Sequence, residues 1–168
     1  IATLITTINI PVRILIRPRA GNFIYTETEM LQMIADIQFC KTIGCEGVVI
    51  GTLNMDGSIN KKQTRQLVRA AKPIHLTFHR AFDEGNNLQQ NLEDVIACGC
   101  DTLLNSGQNK NVTNGVSNLE QLVKLANNRI TILAGSGVNY TNAETLYKVG
   151  IRNFHFSGSI KNKKGKLE

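Results

Sequence analysis

The sequence predicts an α/β fold, a parallel barrel of βα units short of its first two strands, and three observations carry that reading. From Val12 onward the apolar residues switch repeatedly between a period of two and a period of three to four, as alternating strands and helices require. A glycine-led segment recurs as Gly44-Cys-Glu-Gly-Val-Val-Ile-Gly51, Gly99-Cys-Asp-Thr-Leu-Leu-Asn-Ser-Gly107 and Gly150-Ile-Arg-Asn-Phe-His-Phe-Ser-Gly158, with successive copies 55 and 51 residues apart. Each copy joins a helix-ending Gly, a short turn, a strand and a small-residue loop, the trace that duplicated βα modules leave. Finally, no G-x-G-x-x-G follows the first strand and no G-x-x-x-x-G-K-[ST] loop occurs, which weakens the main competitor, a doubly wound open sheet. Ala134-Gly-Ser-Gly137 follows a strand but lacks the third Gly and the later acidic residue of a dinucleotide site.

The elements follow in order. The first strand is Val12 to Arg17, and Pro18 ends it because it offers no N–H to a ladder. Thr26-Glu-Thr-Glu29 forms a capping box, and Met30, Ile34 and Ile37 then share one face of a helix of about four turns that closes near Gly44. Strand Gly47 to Ile50 leads to a helix opened by Asn60 with Gln63, turning Leu67, Val68 and Ala71 inward. Strand Ile74 to His79 leads to a helix burying Leu88, Leu92, Val95 and Ile96. Strand Thr102 to Leu104 leads to one capped by Ser117 with Glu120, burying Leu119, Leu122, Val123 and Ala126. Strand Ile130 to Leu133 leads to one capped by Thr141 with Glu144, burying Leu146 and Tyr147, and strand Asn153 to Phe156 closes the series.

A complete (β/α)8 barrel of the TIM type takes about 200 residues or more, whereas this chain has 168. Residues 1–160 are therefore assigned to a single barrel domain incomplete at its N-terminus, with 161–168 as a basic tail. Six of eight strands leave two open edges, so the chain is expected to be a piece of a longer protein or to have its edges covered by another subunit. The net charge of +6 owes much to the tail: without Lys161, Lys163, Lys164, Lys166 and Glu168 there are 15 basic against 12 acidic residues, a balance of +3. With no Trp and no basic residues interleaved with aromatics, a nucleic-acid partner is not expected. The four cysteines, Cys40, Cys45, Cys98 and Cys100, form no C-x-x-C pair and read as reduced structural thiols of a cytoplasmic protein, with neither a membrane span nor a signal peptide.

Ligands of parallel barrels bind at the carboxyl ends of the strands, so function is sought in the last residues of each strand and the first of each loop. Those positions hold Arg17, Arg19, Gly51, Thr52, Thr77, His79, Arg80, Asp83, Ser106, Gly107, Gly135, Ser136, Gly137, His155, Ser157 and Gly158. Strand alternation turns Arg13, Leu15, Arg17, His75, Thr77, His79, His155 and Ser157 into the bore. His75, deep in its strand, reads as a satisfied core group, and Arg13 as a strand-start residue. His79, Arg80 and Asp83 place three ionisable groups at one strand end, where His79, Asp83 and His155 are the catalytic candidates through acid or base chemistry. The glycine turns Gly135-Ser-Gly137 and Ser157-Gly-Ser159 occupy the usual phosphate-binding places of barrel enzymes, and with Arg17 and Arg19 they favour a small anionic ligand.

At this point Ile16-Arg-Pro-Arg-Ala-Gly-Asn-Phe-Ile-Tyr25, Gly47-Val-Val-Ile-Gly51, Thr77-Phe-His-Arg-Ala-Phe-Asp83, Leu104-Asn-Ser-Gly107 and Gly135-Ser-Gly-Val138 resemble successive signatures of the CutC family. The resemblance implies a (β/α)8 barrel, a cytoplasmic location, self-association into a homo-oligomer and a role in copper homeostasis, with copper binding as its sharper form. Family members carry two further strands and the helix between them before the Arg17 strand; here Ile1 to Asn9 reads as a helix remnant. The cysteines proposed for copper in the family lie in that part, which leaves His79 and His155 as copper-ligand candidates at the mouth. Two functions are thus expected, a copper-handling protein first and, as the alternative, a barrel enzyme acting on a small anionic or phosphorylated substrate.

Overall fold

A computed structural model describes residues 1–158, so the basic tail and Ser159 lie outside the described residues. Thirteen elements alternate along the chain. They are α1 (Ala2–Thr7), β1 (Arg13–Leu15), α2 (Glu27–Thr42), β2 (Gly47–Ile50), α3 (Lys61–Ala71), β3 (His75–Phe78), a 3₁₀ turn (Arg80–Glu84), α4 (Leu88–Cys98), β4 (Thr102–Asn105), α5 (Val116–Ala126), β5 (Thr131–Gly135), α6 (Ala143–Lys148) and β6 (Asn153–His155). The six strands form one sheet in the order β1-β2-β3-β4-β5-β6, with every neighbouring pair parallel. A doubly wound sheet reverses its strand order at a switch point. Here each strand is added on the same side as the last, which is the topology of a barrel wall.

Local chemistry accounts for most of the boundaries. At α2 the Glu29 backbone N–H donates to Thr26 Oγ1 while the Glu29 carboxylate accepts the Thr26 N–H, so two otherwise orphaned donors are met at once. Asn60 caps α3 through the Gln63 N–H, and Asn87 caps α4 through that of Gln90. Gly99 ends α4 in the left-handed region, at φ 88°, where a side chain would strain the backbone. Val48, Ile50, Leu76, Phe78 and Leu103 point from the strands to the helix layer, where they meet Met33, Ile37, Leu67, Leu92, Leu119 and Leu122, all fully buried. This single layer of apolar contacts between sheet and helices fixes the inner face of the sheet as the place for polar side chains.

Several expectations need correction. The first strand pairs over three residues only, and Ile34 is half-buried while Met33 takes the place beside Met30, Ile37 and Cys40 on the sheet-facing side of α2. Ser117 does not cap α5, which starts two residues earlier than such a cap would place it, from Gly115 with no side-chain cap. The reason is tertiary: a methyl group at Gly115 would overlap the Ser106 carbonyl, so the chain passes too close to the loop after β4 for any other residue. Thr141 does not cap α6 either; its hydroxyl turns back to Asn139 Oδ1, and Asn142 is the N-cap residue. Tyr147, expected inside, is exposed beneath the Arg152 guanidinium, 3.9 Å from its ring centre. A cation stacked on an aromatic face stabilises that solvent-side position.

Candidate functional site

Alternation along the strands builds a cavity of about 400 Å³ on the inner face of the sheet. Its walls are apolar, from Leu15 on β1, Phe23, Val49 on β2, Leu104 on β4 and Leu133 on β5. Its polar contributors are Arg13, Arg17, Thr77, His79, Arg80 and His155. Because β1 and β6 line the same space, the sheet curls into a half-barrel. Arg17, Phe23 and Arg80 also border a second, outer cavity of about 630 Å³, whose further lining includes Asp83, Glu84, Gln108 and Lys110. An apolar inner chamber therefore opens onto a polar outer one past two arginines.

His79 is deeply buried, 6% exposed. The backbone N–H of Ala81 donates to its Nδ1 at 3.0 Å, as the first cap of the 3₁₀ turn. A nitrogen that accepts a hydrogen bond carries no proton, so the neutral ring bears its hydrogen on Nε2. Nε2 is buried and meets no partner among the described residues. The ring lies tilted against Phe23, with centroids 4.8 Å apart. On its other side is Gly51, where a methyl group would overlap Cε1 and Nδ1 of the imidazole. Burial, and behind it the charge of Arg17, lowers the His79 pKa from 6.5 to about 4, so the ring is neutral at physiological pH. Thr77, 2% exposed, offers a second buried polar atom without a partner, its Oγ1.

The lowered pKa has a measurable consequence. The unfolded chain takes up a proton on this imidazole near pH 6.5, while the folded one takes it up only near about 4. Between those values the unfolded state binds more protons, so the stabilisation is complete above pH 6.5 and is lost as pH falls towards 4. Its size is about 3 kcal/mol at one pH unit per 1.36 kcal/mol. Urea unfolding of wild type and His79→Phe at pH 7.5 and 4.5 should show wild type losing this much more between the two; equal losses would contradict the assignment.

Arg17 stands at the junction of the cavities. It donates from Nη2 to the Gly21 carbonyl at 2.6 Å, and its guanidinium lies 4.6 Å from the Phe23 ring centre. Among the described residues no carboxylate pairs with it. The other arginines differ. Arg13 is held by Glu46. Arg19 is committed to Glu29, to carbonyls of Ala20, Asn22 and Ile24, and to the Tyr25 ring, so it pins the loop after β1 and lines neither cavity. Arg80 pairs with Asp83 at 2.8 Å.

Asp83 has both oxygens filled. Oδ1 accepts the N–H groups of Ser106 and Gln108 at 2.9 and 3.0 Å, and Oδ2 accepts from Arg80 at 2.8 Å and shares the single Ser106 hydroxyl hydrogen, at 2.9 Å, with the Asn109 carbonyl at 2.5 Å. It binds the 3₁₀ turn to the loop after β4, and has no free lone pair directed at a proton to abstract. Ser106 and Gly107 are buried in that same junction rather than lining either cavity. Gly135 lies at the inner end of β5, where a side chain would overlap Leu104 and crowd His155. Ser136, at φ 83°, spends its hydroxyl on the Lys110 carbonyl, and the Gly137 carbonyl accepts from the side chains of Asn139 and Asn142. Ser157 and Gly158 are exposed at the end of the described chain. His155 lines the inner cavity from β6, whereas His75 is met by Thr102 Oγ1 at 3.0 Å.

The structure thus brings Arg17, Thr77, His79, Arg80 and His155 around one cavity and leaves Arg19 and the glycine turns outside it. Phe23, Gln108 and Lys110 join the site without any periodic signal, because all three lie in loops; only Phe23 falls within a segment that resembles a family signature. The described residues contain no group of three or more His, Cys, Asp or Glu side chains able to hold a metal ion. His79 is itself a poor ligand for copper, since its Nδ1 lone pair is occupied and its Nε2 carries the proton. The four cysteines are buried and unpaired, with Cys45 and Cys100 just before the amino ends of β2 and β4, opposite the mouth.

A curled, singly wound parallel sheet whose carboxyl ends carry the polar side chains of one cavity defines a protein of the (β/α)-barrel class. Residues 1–160 match the CutC family, and the chain belongs to it. A CutC family protein of Bacteroides fragilis is 42% identical over 153 residues, which cover 90% of this chain and 61% of that protein. The chain accordingly spans about three-fifths of the length of this curated relative. Among solved structures, a CutC protein of Streptococcus agalactiae named for copper homeostasis superposes with a TM-score of 0.85 at 28% identity, over 91% of this chain and 75% of that one. A deoxyribose phosphate aldolase of Aeropyrum pernix superposes with a TM-score of 0.72 at 12% identity, over 91% and 66%, a likeness of fold alone. No helix among the described residues is long and apolar enough to cross a membrane.

Proposed function

We propose that this CutC protein binds a small anionic ligand at the carboxyl ends of its strands, through Arg17 at the junction of the two cavities. The observation that carries the reading is that the Arg17 guanidinium borders both cavities without a carboxylate partner among the described residues. A guanidinium offers five donors in a planar fork suited to carboxylate or phosphate, and here one of them is spent on Gly21. In the outer chamber Arg17, Arg80 and Lys110 stand against Asp83 and Glu84, and with Arg80 paired to Asp83 the remaining balance is positive, which favours an anion. Whether the bound molecule is then transformed turns on His79, a neutral imidazole held as a hydrogen-bond donor. Such a group polarises an oxygen rather than taking a proton from it.

The family's association with copper homeostasis is read here as a property of the pathway in which the protein works, with His79 and His155 outside direct copper ligation. The tautomer of His79 supports this. Buried, unpaired cysteines support a cytoplasmic location. Leu31 and Phe39, exposed on α2, support self-association through that helix.

The test pairs two titrations. Inorganic phosphate and acetate should raise the melting temperature of wild type, and Arg17→Gln should weaken binding about tenfold, the scale of one charge-assisted hydrogen bond. Copper(I), delivered from a competing chelator, should bind wild type and His79→Ala alike. Anion affinity unchanged in Arg17→Gln would refute the proposal, and copper affinity that collapses in His79→Ala would replace it with metal ligation at the mouth.

A further inference from the structure

We infer that the ligand carries, on a short apolar body, a carbonyl oxygen that is received by His79 Nε2–H and Thr77 Oγ1–H in the inner chamber. The inference rests on the anion reading above and adds the other end of the same molecule.

The inner chamber is walled by Leu15, Val49, Leu104 and Leu133, which supply neither donors nor acceptors. Against these walls two buried polar atoms, His79 Nε2 and Thr77 Oγ1, have no partner among the described residues. Both residues line the cavity, and both come from the same inner face of β3 and its end. A buried donor left unmet is costly, so a pair of them in one apolar chamber marks a place that an acceptor fills.

The kind of acceptor follows from charge and from counting hydrogens. His79 can only donate from Nε2, because its Nδ1 is held by the Ala81 N–H. A cationic group would meet the His79 Nε2–H and the like charges of Arg13, Arg17 and Arg80 in the same lining. A second carboxylate or phosphate at this spot would face an uncharged ring and a hydroxyl, because Arg13 and Arg80 in the same lining are already paired with Glu46 and Asp83 and Arg17 holds the first anion. A hydroxyl would bring a hydrogen of its own that the walls cannot accept. A carbonyl oxygen has two lone pairs and no hydrogen, and so receives both donors. The anionic end then rests on Arg17, where the inner chamber opens to the outer one.

Calorimetric titration of wild type with matched probes tests this. The first pair is hydroxyacetone phosphate and propyl phosphate, the second 4-oxopentanoate and pentanoate, so that each differs by the keto oxygen and the two differ in anion and length. Hydroxyacetone, uncharged, is the third arm. In the pair whose anion fits, the keto member should bind about tenfold more tightly than its alkyl partner, the scale of two net hydrogen bonds. Thr77→Val should cut that advantage to about threefold, and Arg17→Gln should weaken both members alike.

Equal affinity within both pairs overturns the carbonyl inference and leaves anion binding standing, with water as the partner of the two donors. Hydroxyacetone binding as tightly as its phosphate overturns the anion reading instead. No binding by any probe overturns both. A second measurement is independent of variants that fold poorly: in nitrogen-15 spectra of wild type, the His79 Nε2–H resonance should be present and should move with the keto member only. A proton found on Nδ1 would overturn the inference without any titration.

Discussion

Asp83→Ala is expected to destabilise the protein by about 3–5 kcal/mol, the range for removing one partner of a buried charged network. The carboxylate is 6% exposed and fills four hydrogen bonds, from the N–H groups of Ser106 and Gln108, the Ser106 hydroxyl and Arg80. Truncation leaves two backbone donors without an acceptor in a place water reaches poorly, and it frees Arg80 from its tether. A small domain has only about 5–15 kcal/mol of stability in total, so the loss is a large fraction of it. Asp83→Asn keeps one acceptor oxygen but turns an amide donor towards other donors, and should recover less than half of the loss. Urea midpoints at constant slope measure both. A change below about 1 kcal/mol in Asp83→Ala, the scale of surface substitutions, would show that the junction of the 3₁₀ turn and the loop after β4 is not held by this carboxylate.

Gly51→Ala is the second large effect, and it acts on the site through the seat of the imidazole. The added methyl group would occupy the space of His79 Cε1 and Nδ1 and press on the Ala81 methyl. His79 must then rotate, and its bond from the Ala81 N–H breaks. Overpacking of this kind costs about 1–3 kcal/mol, and a misplaced donor should cut the advantage of the keto probes over their alkyl partners to about threefold, as loss of the Thr77 donor does. The cause can be isolated in a double-mutant cycle. In a His79→Ala background the space is vacated, so Gly51→Ala should become nearly neutral in stability. Additive losses in the double variant would mean that Gly51 is required for a reason other than the ring beside it.

How much of this was legible varies by element. The caps Thr26 with Glu29 and Asn60 with Gln63 were readable because a cap joins a side chain to the backbone N–H three residues on, a contact that holds although Arg19 and the Tyr25 carbonyl engage the Glu29 and Gln63 side chains. The same pattern misled at Ser117 and Thr141. There a close approach of the loop after β4 to Gly115, and the Asn139 side chain, determined where the helices begin. Among the site residues, the inward direction of Arg17, Thr77, His79 and His155 followed from strand alternation alone. Arg19, two residues from Arg17, looked equivalent in sequence, but past Pro18 the strand has ended and the alternation no longer applies. Asp83 looked like a candidate base because a carboxylate near a histidine is ambiguous until its hydrogen-bond partners are known, and those come from residues 23 to 25 positions later.

By itself, the sequence determined the succession of strands and helices, the sheet-facing apolar residues and the strand ends that bear polar groups. These depend on periods of two and 3.6 residues, which are properties of the local backbone. Tertiary structure alone decided that β1 and β6 curl round to share a cavity, that Phe23 and Gly51 press on His79 from two sides, and that its Nε2 rather than Nδ1 holds the proton. Those facts arise from contacts between chain segments that no short-range pattern records, because packing sets the distance between elements while the sequence pattern sets only the direction each side chain takes.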